Sequence, residues 1–165
     1  MILLLGVSMD ERYNDNPYNL ICRKGVGLMA SSSLIYPAFA LVLLTMGVAI
    51  RMAQLRFRSV LKGDLNPRYF EYNRDGTVPA YLAKVEQNYA NLLEIPILFY
   101  AAVALFLTRT HVDLIDLIVV WCFVASRYIH TFIHISYNHV MHRFYAFLTG
   151  VVLVMIIWIR LVMTL

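Results

Sequence analysis

Residues Leu34 to Ile50 read LIYPAFALVLLTMGVAI, an apolar stretch without a single charged side chain. A helix needs about 20 largely apolar residues to cross the hydrocarbon layer of a bilayer, and this run with its flanks meets that requirement. Three further stretches share its character. The second, Ile95 to Leu107, is short alone but extends backward through a polar helical run from near Ala80, so it joins a wet half to a dry half. The third runs from Leu114 to about Ile135 and the fourth from Phe144 to the C-terminus, where Arg160 can stretch its charge toward the interface. The pattern predicts an all-α membrane protein: an antiparallel bundle of four transmembrane helices, with short links between the second and third spans and between the third and fourth.

Composition agrees. The chain has 165 residues, 61% hydrophobic and 15% charged, with a mean hydropathy of +0.67. A soluble monomer cannot hide that much apolar surface, and so few charges exclude a disordered chain or a charge-rich coiled coil. The net charge of +4 is gathered around the apolar stretches. It reads as membrane topology, and no nucleic-acid partner is expected. Cys22 and Cys122 stand a hundred residues apart and offer neither a disulfide framework nor zinc-ligand spacing. Cys122, inside an apolar run, reads as a small packed side chain.

The link between the first two spans carries Arg51, Arg56, Arg58, Lys62, Arg68 and Arg74, whereas the next turn carries only Arg109 and His111. Basic residues mark the cytoplasmic side. The expectation is a multi-pass protein of the cell inner (cytoplasmic) membrane, with that link and the Asn138–Arg143 turn inside and both termini outside. Gly63, Asn66-Pro67 and Asp75-Gly76 are turn formers, and a short interfacial helix is expected at Gln54–Leu61. Residues 1–28 fit no membrane pattern: Met1 to Val7 is too short for a signal-peptide core, and Asp10 to Asn19 is polar without periodicity. Met29 is an alternative start. The single domain is expected over 29–165, with 1–28 as a leader that is disordered or a mis-assigned start.

Two polar stripes interrupt the apolar spans. Lys84, Gln87, Asn91 and Glu94 recur at steps of three, four and three, and so do Arg127, His130, His134 and Tyr137. Each set lies along one helix face. An ionisable group inside a bilayer is expensive unless it meets a partner, so the stripes are expected to face each other. Glu94 lies fourteen residues before Thr108 and Arg127 fourteen after Asp113, each about 21 Å from the turn between them at 1.5 Å per residue. An ion pair, or a polar ligand shared by the two charges, is expected at that depth. Pro96 removes a helix hydrogen bond near the Leu92 carbonyl. A buried pair of charges also serves as a packing device. His130 and His134, with His139 and His142 nearby, suit metal or haem ligation, but histidines at that spacing are a weak signal and no metal is expected. Gly150 is expected to permit close helix contact.

Asn91-Leu-Leu-Glu94-Ile-Pro96 on a second span, Arg127-Tyr-Ile-His130 on a third and Arg143 opening the fourth resemble the MAPEG family. These are membrane-associated proteins of eicosanoid and glutathione metabolism, among them the microsomal glutathione transferases. The segment SRYIHTFIHISYNHVMHRFYAFLTG is most similar to the family's bacterial branch, and the resemblance covers roughly Leu34 to Leu165. It implies a homotrimer with glutathione, as cosubstrate, bound between neighbouring subunits near the cytoplasmic face. Asn91 and Glu94 would hold the tripeptide's polar backbone and amino end, Arg127 and His130 would bind or orient it, and Arg143 would be the catalytic group beside the sulfur. Gln87 and His134 complete the expected binding set, although they stand where family enzymes often carry an arginine and a tyrosine; Ala90 is a second missing arginine. The implied activity is a glutathione-dependent transferase or peroxidase acting on lipophilic electrophiles from the bilayer. The alternative is a non-catalytic lipid-binding or scaffold membrane protein of the same fold.

Overall fold

The structure is a computed structural model that describes residues 28–72 and 77–164. Five helices follow a short strand: β1 (Leu28–Ala30), a 3-10 turn (Ser31–Leu34), α1 (Ile35–Leu61), α2 (Tyr69–Tyr72), α3 (Ala80–Leu107), β2 (His111–Asp113), α4 (Leu114–Ile135) and α5 (Val140–Met163). Apart from Leu28, the expected leader lies outside the described residues, as do Arg74 and Asp75-Gly76. α1, α3, α4 and α5 are each long and apolar enough to cross a membrane, so the chain is a multi-pass membrane protein. Their outward faces carry Phe39, Leu43, Met46, Ile97, Ile118, Phe132, Val152 and Met155, all exposed. Lipid tails are the solvent these side chains suit.

Two boundaries differ from the sequence reading. No separate helix forms at Gln54–Leu61, because nothing in that stretch breaks α1: Leu55 and Ser59 stay on its buried face. α1 instead stops at Gly63, whose φ of 75° belongs to the left-handed region open to glycine. At the other end of the chain, α5 starts at Val140 and not at Phe144. The reversal from α4 is made by Asn138 at φ 50°, an asparagine-tolerant left-handed conformation, which leaves Val140 to Arg143 free to wind the first turn.

The four long helices pack in the cyclic order α1, α3, α5, α4, with α3 also touching α4. Side chains from all four fill the centre, including Leu41, Phe99, Phe106, Phe123 and Ile157, each 2% exposed or less. Phe99 stacks on Phe123 at 4.7 Å between ring centroids. A second cluster, with Leu55, Leu65, Tyr69, Leu82 and Val85, seals the end that carries the α1–α3 link.

The opposite end is tied by polar bonds that the hydropathy pattern did not reveal. β1 pairs with β2 antiparallel, and the Ser31 hydroxyl donates to the Arg109 carbonyl at 2.6 Å. Arg109 in turn donates to the Leu161 carbonyl at 2.9 Å and to Thr164. Asp113 and Asp116 form a capping box at the start of α4. Arg160, near the end of α5, pairs there with both carboxylates.

Candidate functional site

α3 turns Leu82, Val85, Asn88, Leu92 and Phe99 into the bundle. Asn88, fully buried, shares a hydrogen bond with Thr131 of α4 at 3.4 Å. Glu94 is six residues further on, and at about 100° per residue it lies about 120° around the helix from Asn88. It is accordingly exposed on the outer face of α3, and no ion pair or side-chain hydrogen bond engages it among the described residues.

Arg127 is only 1% exposed and points elsewhere, toward α5. Its Nη2 donates to the carbonyls of Ala146 and Phe147 at 2.9 and 3.2 Å, and its guanidinium lies over the rings of Phe123 and Phe147. The expected Glu94–Arg127 pair is therefore absent: equal depth is not equal direction, and the two helices present these residues to different neighbours. The side-chain hydrogen bond between α3 and α4 among the described residues belongs instead to Asn88 and Thr131. The run of buried positions at Leu82, Val85, Leu92 and Phe99 already marked the face on which Asn88 falls.

The flanks of the two stripes do converge, together with the start of α5. Gln87, Ala90 and Asn91 of α3, His130 and His134 of α4, and Val140, Arg143, Phe144 and Phe147 of α5 line a cavity of about 460 Å³ toward the end with the basic link. That volume is within the range of roughly 300–1,000 Å³ usual for small-molecule sites. Five of the seven expected site residues meet here: Gln87, Asn91, His130, His134 and Arg143. Arg127 sits behind the cavity, between α4 and α5, and Glu94 stays outside it.

Arg143 closes the first turn of α5, its backbone N–H donating to the His139 carbonyl at 3.0 Å. Its Nη1 donates to Oδ1 of Asn138 at 3.0 Å and lies 3.4 Å from Nε2 of His134. Asn138 thus has two tasks, turning the chain and holding the guanidinium. His130 and His134 are 2% and 1% exposed. Both ring nitrogens of His130 and Nδ1 of His134 are without a hydrogen-bond partner among the described residues. Buried imidazole nitrogens left unbonded cost free energy that a polar ligand would recover.

The four histidines do not gather. The rings of His139 and His142 lie 4.6 Å apart and tilted by 43° on the exposed surface, where the Tyr137 hydroxyl meets Nδ1 of His142 at 3.1 Å. No group of three His, Cys, Asp or Glu side chains comes together among the described residues.

The MAPEG family model matches residues 34–163. The chain belongs to the MAPEG family. The match runs from the end of the 3-10 turn to the last residue of α5, so all four spans and every cavity residue of this MAPEG protein fall inside it. Comparison with curated proteins and with solved structures gives no match.

Proposed function

We propose that this MAPEG protein is a glutathione-dependent membrane enzyme, a transferase or peroxidase acting on lipophilic electrophiles. The observation that carries the reading is the convergence on one cavity of Arg143 and the imidazoles of His130 and His134, where both His130 nitrogens and Nδ1 of His134 have no hydrogen-bond partner among the described residues. Gln87 and Asn91 offer amide donors and acceptors to the tripeptide's peptide groups. His130 and His134 bond its remaining polar atoms. Arg143 stands in the first turn of α5, where its positive charge and the helix dipole together favour a thiolate over a thiol. The thiolate then attacks an electrophilic carbon delivered from the bilayer: a sulfur–carbon bond forms as a leaving group, or a π-electron pair, departs.

Glu94 belongs to the same reading through assembly. A carboxylate exposed on an apolar span is costly in lipid, and a neighbouring copy of the chain would cover it. A homotrimer with glutathione between subunits gives Glu94 a place beside Asn91, three residues before it on α3. Arg127 acts as a positioning residue that seats α4 on α5. The end bearing Arg51, Arg56, Arg58, Lys62 and Arg68 faces the cytoplasm of the inner membrane, both termini outside, because basic residues are retained on that side.

Titration calorimetry of the purified protein in mild detergent tests the proposal. Glutathione should bind with measurable heat, and Arg143→Ala should lose the ultraviolet absorbance of bound thiolate more than it loses affinity. No heat at saturating glutathione would refute the reading.

One observation favours the alternative, a lipid-binding or scaffold protein of the same fold. Arg127 is engaged by the α5 carbonyls, so among the described residues Arg143 is the single charged side chain lining the cavity, against two carboxylates on glutathione. A native lipid copurifying in the cavity, with Arg143→Ala leaving its affinity unchanged, would favour that alternative.

A further inference from the structure

A second hollow shares no residue with the cavity. α1 and α4 leave a groove of about 320 Å³ lined by Leu43, Leu44, Gly47 and Val48 on one side and Tyr128 and Ile135 on the other, with Arg51 at its end. Gly47 opens its floor: a Cβ there would meet nothing within 4 Å. One end is closed, since the Tyr128 hydroxyl crosses from α4 to donate to the Ala40 carbonyl at 2.8 Å. From Leu43 to Arg51 the helix rises about 12 Å, close to the roughly 15 Å depth of one leaflet's hydrocarbon.

The open end is basic. Arg51, Arg58 and Lys62 are seven and four residues apart, which sets them within about 40° of one another around α1 at 100° per residue. All three are exposed, and none is in an ion pair among the described residues. Arg56, on another face, is the α1 cation that is paired, with Glu86. At 27 residues α1 is about 40 Å long and outruns a 30 Å hydrocarbon core, so its last turns stand among headgroups. The row of cations thus continues the apolar groove into the layer where phosphates lie.

We propose that the α1–α4 groove seats one acyl chain of an anionic phospholipid, with its phosphate held by Arg51 and Arg58. The groove supplies the apolar wall for the chain, Tyr128 sets its depth, and the basic row selects the headgroup. One cation near a membrane surface contributes about 1 kcal/mol toward anionic lipid, about a fivefold preference.

Native mass spectrometry of the full-length protein, released from nanodiscs of equal phosphatidylglycerol and phosphatidylcholine, tests this. The wild type should retain phosphatidylglycerol in preference. Arg51→Gln should lower that preference about fivefold. Gly47→Phe, whose Cβ meets nothing within 4 Å and whose ring occupies the groove, should abolish retention, while Val152→Phe on the exposed face of α5 should leave it unchanged. Equal retention of the two lipids by the wild type would overturn the proposal, as would Gly47→Phe retaining as much lipid as the wild type. So would a lipid-free oligomer that Gly47→Phe splits into single chains, which would give the groove to a second copy. None of these outcomes depends on glutathione binding.

Discussion

Arg127 and Gly150 share one volume. A Cβ built at position 150 would lie 1.8 Å from Nη2 and 2.3 Å from Cζ of the Arg127 guanidinium, so the absence of a side chain on α5 is what admits the arginine from α4. Gly150→Ala should therefore destabilise the protein by about 2–3 kcal/mol, the scale of losing hydrogen bonds to a charged group. In an ordinary helix the same change would stabilise by up to about 1 kcal/mol. Thermal unfolding in detergent reads the sign. In an Arg127→Ala background the penalty should vanish, a coupling that a double-mutant cycle detects.

Arg127 and Arg143 should separate in function as they do in space. Arg127→Met removes a group that lies behind the cavity and should lower the unfolding temperature while glutathione affinity, by calorimetry, stays within a factor of about three of the protein's stability-corrected value. Arg143→Ala should do the reverse, leaving the unfolding temperature nearly unchanged and removing the thiolate signal. An Arg127→Met protein of full stability that binds no glutathione would return Arg127 to the ligand.

The Asn88–Thr131 contact is long, at 3.4 Å, and it lies between spans, where such bonds contribute about 0.6 kcal/mol on average. Thr131→Val should cost about that much. Asn88→Leu should cost more, because a branched apolar side chain must fit a fully buried site shaped for an amide. Chemical unfolding of the two variants and their combination gives the comparison.

The two arginine–carboxylate pairs differ in burial and should differ in worth. Arg56 and Glu86 are 38% and 21% exposed; Arg56→Ala should cost less than about 1 kcal/mol, and added salt should erase the difference. Asp116 is only 4% exposed beneath Arg160. Arg160→Ala strands that carboxylate and should cost at least about 2 kcal/mol, largely independent of salt.

The four spans were legible because hydropathy sums over many residues and no tertiary detail can reverse it. Direction around a helix is another matter. Glu94 and Arg127 were placed at the same depth by counting, yet a helix of 28 residues such as α3 has three neighbours, and the sequence does not say which of them a polar stripe meets. Arg127 found its acceptors in α5 carbonyls, which carry no side-chain signature. Five of the site residues were still found together, since His130, His134 and Arg143 lie close to a short reversal that holds them at one level. Pairing between Leu28–Ala30 and His111–Asp113 joins segments more than eighty residues apart, and nothing local announces it.

At the end holding β1 and β2, the helices are fastened by a strand ladder, by Arg109 and by the Arg160 carboxylate pairs. Beside the cavity, no hydrogen bond or ion pair links α3 to α5 among the described residues; the bond between them, from the Trp158 indole to the Leu98 carbonyl, lies deeper in the bundle. There the polar links run through α4, which bonds α3 at Asn88–Thr131 and α5 at Arg127, so a ligand between Asn91 and Phe147 would lie where α3 and α5 are joined only by way of a third helix.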